Sequence, residues 1–275
     1  MCVVNKGAYD IVDCGPSLLP DRRFAAGRSV SALILREMVT TYGRSPGGYL
    51  WAVLEPIAAI ALLSFAFSLA FRSPPLGASF PLFYAAGYLP YMLFHDVSSK
   101  VATALRFSRP LLNFGAISWF DVVLARLALN AFTHISVGVL VLGAMLMLME
   151  TRAVLTVPDL CLAFAMACLL AAGWGVLNAF LFLAFPAWER VWTIATRPLF
   201  IISGVFFLFE DLPPEMQGIL WFNPLFHVTG LMRSGLFANY EAAFVSPFFV
   251  FIAAIGPLML GLLLLGRFVD GLMHT

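Results

Sequence analysis

Charge is what this sequence has least of. Only 11% of its 275 residues are Asp, Glu, Lys or Arg, where a soluble domain carries about a quarter. The net charge of +1 supplies no basic field for nucleic acid. Cysteine is sparse too. Cys2, Cys14, Cys161 and Cys168 form no C-x-x-C pair and no Cys/His spacing that would hold zinc. Cys161 and Cys168 lie seven apart in an apolar run and read as small core residues. Lysine occurs only at Lys6 and Lys100, and neither follows a glycine-rich turn. A G-x-x-x-x-G-K-[ST] loop is therefore absent, and with it the usual device for cradling ATP. HExxH and GxSxG are also missing, and no soluble stretch is long enough for an ATPase domain. Met1 to Pro20 contains Asp10, Asp13 and two prolines without an uninterrupted apolar core. It is not a secretory signal, so the N-terminus is expected in the cytoplasm.

What the sequence has in quantity is apolar surface. Hydrophobic residues make up 61% and the mean hydropathy is +0.93, which places the chain in a bilayer. A helix needs about 20 apolar residues to cross. Six stretches qualify: Tyr49–Phe71, Phe80–Leu105, Phe120–Met149, Val157–Phe185, Val191–Phe209 and Ser246–Phe268. The predicted fold is all-α and integral to the membrane. With both termini cytoplasmic, 13 of the 16 Lys and Arg residues fall inside, and only Arg72, Arg152 and Arg233 fall outside. The positive-inside rule favours that orientation.

Two segments are neither span nor simple loop. Residues 28–44 read as an amphipathic interfacial helix: Val30, Leu33, Ile34, Met38 and Tyr42 form a stripe, with Arg36, Glu37 and Arg44 off it. Residues 210–240 are too apolar for a solvated loop, yet Pro213-Pro214 and Asn223-Pro224 forbid one continuous span. A re-entrant helical hairpin on the periplasmic side fits, lining or plugging a pathway. The tail 1–27 precedes a single membrane domain, 28–275.

Charges within spans are expensive and mark function by default. Glu55, Lys100 and Arg126 fall at comparable depth, so Glu55 is expected to pair with Arg126 or Lys100, structurally or as a gate. Asp96 and Lys100 are four apart and suited to local pairing. Tyr84, Tyr88, Tyr91 and His95 form a stripe of aromatic faces with polar tips. It reads either as a sugar-stacking channel lining or as an interfacial belt or packing surface. Trp221, Asn223 and His227 are further pathway candidates. Phe107–Trp119, with Arg109-Pro110 and Asn113, is short enough for a cytoplasmic coupling helix or a plain loop.

Several segments carry a resemblance. Leu33-Ile34-Leu35-Arg36-Glu37, then Tyr42-Gly43-Arg44, leads into Gly48-Tyr49-Leu50-Trp51-Ala52 and Glu55-Pro56. Ile202-Ser203-Gly204-Val205-Phe206-Phe207 is followed by Leu212-Pro213 and Trp221-Phe222-Asn223-Pro224-Leu225-Phe226-His227. From about residue 28 onward the chain resembles the permease subunits of capsular-polysaccharide and O-antigen ABC exporters, the capsule branch more closely. It departs from that pattern at Phe222, inserted after the tryptophan, and at Ala187-Trp188, inserted before Glu189.

The resemblance implies a transport subunit rather than an enzyme. It would move lipid-linked capsular polysaccharide across a bacterial inner membrane, through a channel between two copies. Two cytoplasmic ATPase subunits would bind ATP and Mg, leaving this chain without a cofactor or metal. A periplasmic co-polymerase and an outer-membrane channel would carry the glycan onward. ATPase coupling is expected of Arg36, Glu37, Arg44, Arg109, Asn113, Glu189 and Arg190. The alternatives are O-antigen, teichoic acid or another lipid-linked substrate, an intramembrane glycosyl or acyl transferase, and a secondary transporter. A transferase needs clustered acids or histidines, and the acids here are scattered apart from Glu210, Asp211 and Glu215. A secondary transporter is usually marked by internal repeats, and none is visible between the halves.

Overall fold

The computed structural model describes residues 25–41, 47–112, 117–148 and 155–273. The expected site residues Arg44 and Asn113, and Tyr42 of the amphipathic stripe, lie outside them. Among the described residues there are eleven helices and no strand. They are α1 (Ala25–Thr41), α2 (Gly48–Ala70), α3 (Phe80–Ala102), α4 (Ala104–Phe107), α5 (Arg109–Leu112), α6 (Trp119–Leu148), α7 (Val157–Ala184), α8 (Pro186–Ile202), α9 (Pro214–Leu220), α10 (Pro224–Leu236) and α11 (Pro247–Met273).

By length and composition four helices suffice to cross a membrane: Leu50–Ala70, Trp119–Leu148, Val157–Ala184 and Pro247–Val269. The other two expected spans, within α3 and α8, are more polar. In α3, 16 of 23 residues are buried against other helices, so less of it needs to match lipid. It packs on α7, α6, α10 and α2. α8 carries Glu189, Arg190 and Arg197, and its 17 residues span about 25 Å.

The fifth expected span, Val191–Phe209, is corrected at both ends. α8 starts at Pro186, where proline suits a helix N-terminus. It stops at Ile202, because Gly204 takes φ +74° and turns the chain. Residues 203–209 are apolar because α10 covers them, not because they continue a helix. Four carbonyls freed there are each taken by a side chain from α10 or its cap. The Asn223 amide donates to Ile202 O (2.8 Å) and the Thr229 hydroxyl to Ser203 O (2.9 Å). Arg233 donates to Val205 O (3.1 Å) and Phe207 O (2.9 Å). Buried backbone oxygens left unpaired would be costly.

The amphipathic stripe of α1 faces protein. Leu33 is buried, Ile34 and Met38 are half-buried, and α1 packs on α6. Leu35 and Val39 remain on the outer face. Glu37, placed off the stripe by its spacing, points inward to Arg126.

α7 and α11 form the most extensive helix pair, and they touch through glycine. A Cβ added at Gly173 would stand 2.1 Å from the Ala254 carbonyl oxygen. One added at Gly261 would stand 2.7 Å from Leu177 N. Small residues let helix backbones approach this closely in membranes, where lipid tails provide no hydrophobic drive between helices.

Candidate functional site

Two cavities follow one another along α8, and a third adjoins the second between α2, α3 and α6. At its N-terminal end lies a cleft of about 910 Å³, lined by Arg106, Arg109, Glu189, Arg190, Thr193 and Arg197 among others. Four guanidinium groups face a single carboxylate in that lining. Arg106 reaches Glu189 at 2.8 Å; the other cations give the cleft a net positive character.

Thr193 and Arg197 also line the next cavity, a groove of about 610 Å³ between α2, α3 and α8. Its other walls include Glu55, Tyr88, Tyr91, His95, Asp96 and Phe200. Tyr91 stacks on His95 with ring centroids 5.9 Å apart and lies 5.1 Å from Phe200. A third chamber of about 300 Å³ shares Glu55, Met92 and Asp96 with the groove and adds Lys100, Thr133 and His134. Aromatic faces with carboxylates and hydroxyls between them form a surface suited to sugars. Rings take the apolar C–H faces, and the oxygens accept hydroxyl protons.

The stripe read from the sequence divides. Tyr88, Tyr91 and His95 line the groove. Tyr84 does not: it is buried against Phe67 and Phe83 (5.2 and 5.3 Å) and belongs to the core.

Arg126 pairs differently from the sequence expectation. Arg126 is taken by Glu37 of α1, which accepts from both its Nε and a terminal nitrogen at 2.8 Å. The two side chains are only 10% and 12% exposed. Arg126 also donates to Lys100 O at 3.2 Å, and its guanidinium lies 4.5 Å above the Phe107 ring. Glu55 therefore does not hold Arg126. It faces the groove instead, exposed in the single chain. The Asp96 carboxylate meets His95 at 3.1 Å and His134 of α6 at 3.6 Å, so its nearest partners are histidines.

Trp221, Asn223 and His227 act as internal ties. His227 is fully buried. Its Nδ1 accepts from Ser246 N–H (3.2 Å) and its Nε2 donates to Trp221 O (2.7 Å). That pattern fixes a neutral ring protonated at Nε2, with neither nitrogen left for a sugar hydroxyl. The Asn223 oxygen caps α10 by accepting from Leu225 N (3.1 Å), while its amide holds Ile202. The Trp221 indole donates to Phe244 O (3.2 Å), and its ring lies 5.0 Å from Phe249.

Sequence reasoning missed Arg233 and Thr229. Arg233 is almost completely enclosed, with its guanidinium 4.2 Å from the Phe83 ring centroid. An arginine within an apolar segment was the available signal. Nearby, the Tyr240 hydroxyl donates to Glu210 (3.1 and 3.3 Å). Burial first, and then that carboxylate, hold the phenol well above its usual range. Tyr240 is thus the proton donor at neutral pH. Among the described residues no cluster of His, Cys, Asp and Glu is arranged to hold a metal ion.

Residues 28–237 match the family model described as ABC-2 type transporter. The chain is 29% identical over 236 residues to the polysialic acid transport protein KpsM of Escherichia coli, an alignment covering 86% of this chain and 92% of that one. It is 25% identical over 246 residues to the capsule polysaccharide export inner-membrane protein BexB of Haemophilus influenzae. It is 24% identical over 245 residues to the corresponding protein CtrC of Neisseria meningitidis serogroup A. In both of these, 89% of this chain aligns with 92% of the relative.

Proposed function

The chain belongs to the ABC-2 type transporter family, and we propose that it is the membrane-spanning permease of an exporter that moves lipid-linked capsular polysaccharide across the inner membrane. Energy comes from separate ATPase subunits, since this sequence has no phosphate loop of its own. Two copies pair so that their grooves together form the glycan path, with α2, α3, α6, α7, α8 and α11 laid out as six crossings and both termini cytoplasmic. α9 and α10 form the hairpin that enters the membrane from the periplasmic side. The path continues through a periplasmic co-polymerase and an outer-membrane channel.

The observation that carries this reading is the continuity of the basic cleft with the aromatic groove through Thr193 and Arg197. A lipid-linked glycan has an anionic linkage and a neutral or acidic sugar chain. Arginine forks suit phosphate and carboxylate oxygens, and Tyr88, Tyr91 and Phe200 suit sugar rings. Arg197 stands where the two surfaces meet.

The test is assembly. Expressed alone, the purified chain is expected neither to bind nor to hydrolyse ATP. Co-expressed with its ATPase subunit, it is expected to purify as a complex of two permeases and two ATPases, measured by mass and by nucleotide turnover. Robust hydrolysis by the chain alone would overturn the reading.

A further inference from the structure

The short helix α4 is fastened to the groove wall through Arg106. Arg106 of α4 donates to the Glu189 carboxylate at 2.8 Å and to Phe182 O at 3.3 Å. The second bond has a specific cause. In an unbroken helix the Phe182 carbonyl would accept from the N–H of residue 186, but residue 186 is proline and has none. Arg106 supplies the missing donor and thereby grips the α7–α8 junction on both sides: Phe182 lies in the last turn of α7, and Glu189 lies in the first turn of α8.

Glu189 is also in register with the groove. Thr193, Thr196 and Phe200 follow it at four, seven and eleven residues, along one face of α8, and all three line the groove. The Thr193 hydroxyl bonds back to Glu189 O at 2.8 Å. A pull on the Glu189 carboxylate therefore acts on the helix face that meets Tyr88 and Tyr91. On its other side α4 is held by Arg126, whose guanidinium covers the Phe107 ring and engages Glu37. α4 sits between two arginine contacts, one leading to α1 and the other to α8.

Resting on the permease reading above, we propose that the Arg106–Glu189 pair is the link that carries movement of the cytoplasmic helices into α8. Glu189 is then a positioning residue that acts through Arg106, not a contact to the ATPase. Exposed ion pairs contribute little to stability. The two side chains are 46% and 39% exposed, so the pair's worth lies in transmitting force rather than in holding the fold.

Charge reversal tests it in the complex with the ATPase, reading nucleotide hydrolysis and the polysaccharide reaching the cell surface. Arg106→Glu and Glu189→Arg should each retain the bound ATPase and hydrolyse ATP within about twofold of the unaltered complex, while export falls at least about tenfold. The double reversal Arg106→Glu/Glu189→Arg should recover export to within about threefold. If the reversals lower folded yield, Arg106→Gln and Glu189→Gln keep the volumes without the charges and should show the same split. Export at the unaltered level in either single variant overturns the proposal. So does a double variant no better than the singles, or loss of the ATPase from Glu189→Arg, which would mean direct contact. Absence of ATP-dependent export from the unaltered complex would instead refute the permease reading itself.

Discussion

Replacing Glu37 with alanine is expected to destabilise the folded protein by about 3–5 kcal/mol, because it leaves the Arg126 guanidinium buried without its counter-charge. The pair is nearly enclosed, and Glu37 is the only carboxylate within 4 Å of Arg126 among the described residues. The remaining contacts, Lys100 O, Thr103 Oγ1 and the Phe107 ring, orient the guanidinium without neutralising it. The loss should appear as a lower midpoint of thermal unfolding in detergent and a reduced folded yield. Glu37→Gln, which keeps an acceptor, should lose less. Exchanging both residues for leucine should cost less than either alanine single, since no charge is then stranded. An unchanged midpoint for Glu37→Ala would mean that water reaches Arg126 and that α1 is not clamped to α6.

Gly173→Ala is expected to be the other strongly destabilising change. Overpacking usually costs about 1–3 kcal/mol, occasionally more, and here the obstacle is a backbone oxygen that no rotamer change can move. The added methyl would lie 2.1 Å from Ala254 O, so α7 and α11 must separate over their whole contact. Gly261→Ala meets the Leu177 backbone in the same interface, and the two changes together should cost less than their sum. Gly256→Ala is the control: nothing lies within 4 Å of its added carbon, and alanine favours helix over glycine by about 0.8–1.0 kcal/mol. Thermal unfolding of the three variants checks this. Equal midpoints for Gly173→Ala and Gly256→Ala would contradict the packing described.

The long apolar helices were legible because length and hydropathy alone mark them, whether they face lipid or protein. Val157–Phe185 and Tyr49–Phe71 were expected; Val157–Ala184 and Gly48–Ala70 are found. Prolines 213, 214 and 224 marked the starts of α9 and α10, as their missing N–H groups dictate. Residues 203–209 misled, since hydropathy does not distinguish a segment covered by α10 from one facing lipid. Pairings across the fold were equally hidden. Sequence depth pointed to Glu55 for Arg126, and only the approach of α1 to α6 selects Glu37. The aromatic stripe was correct in spacing, but which rings face the groove depends on α8. Tyr88 and Tyr91 meet Phe200 there, while Tyr84 packs against Phe67 and Phe83 one turn beyond. His227 and Asn223 read as pathway groups because their bonding partners, Ser246 and Ile202, are distant in sequence.

The central claim is that this chain passes polysaccharide through the membrane while another subunit hydrolyses ATP. Vesicles reconstituted with the purified permease–ATPase complex and lipid-linked capsular polysaccharide test it most directly, by protection of the glycan from an external glycosidase. The account predicts protection only with ATP, Mg and both subunits, and its loss when the ATPase phosphate-loop lysine is replaced. Protection by the permease alone, or none from an intact hydrolysing complex, would contradict it.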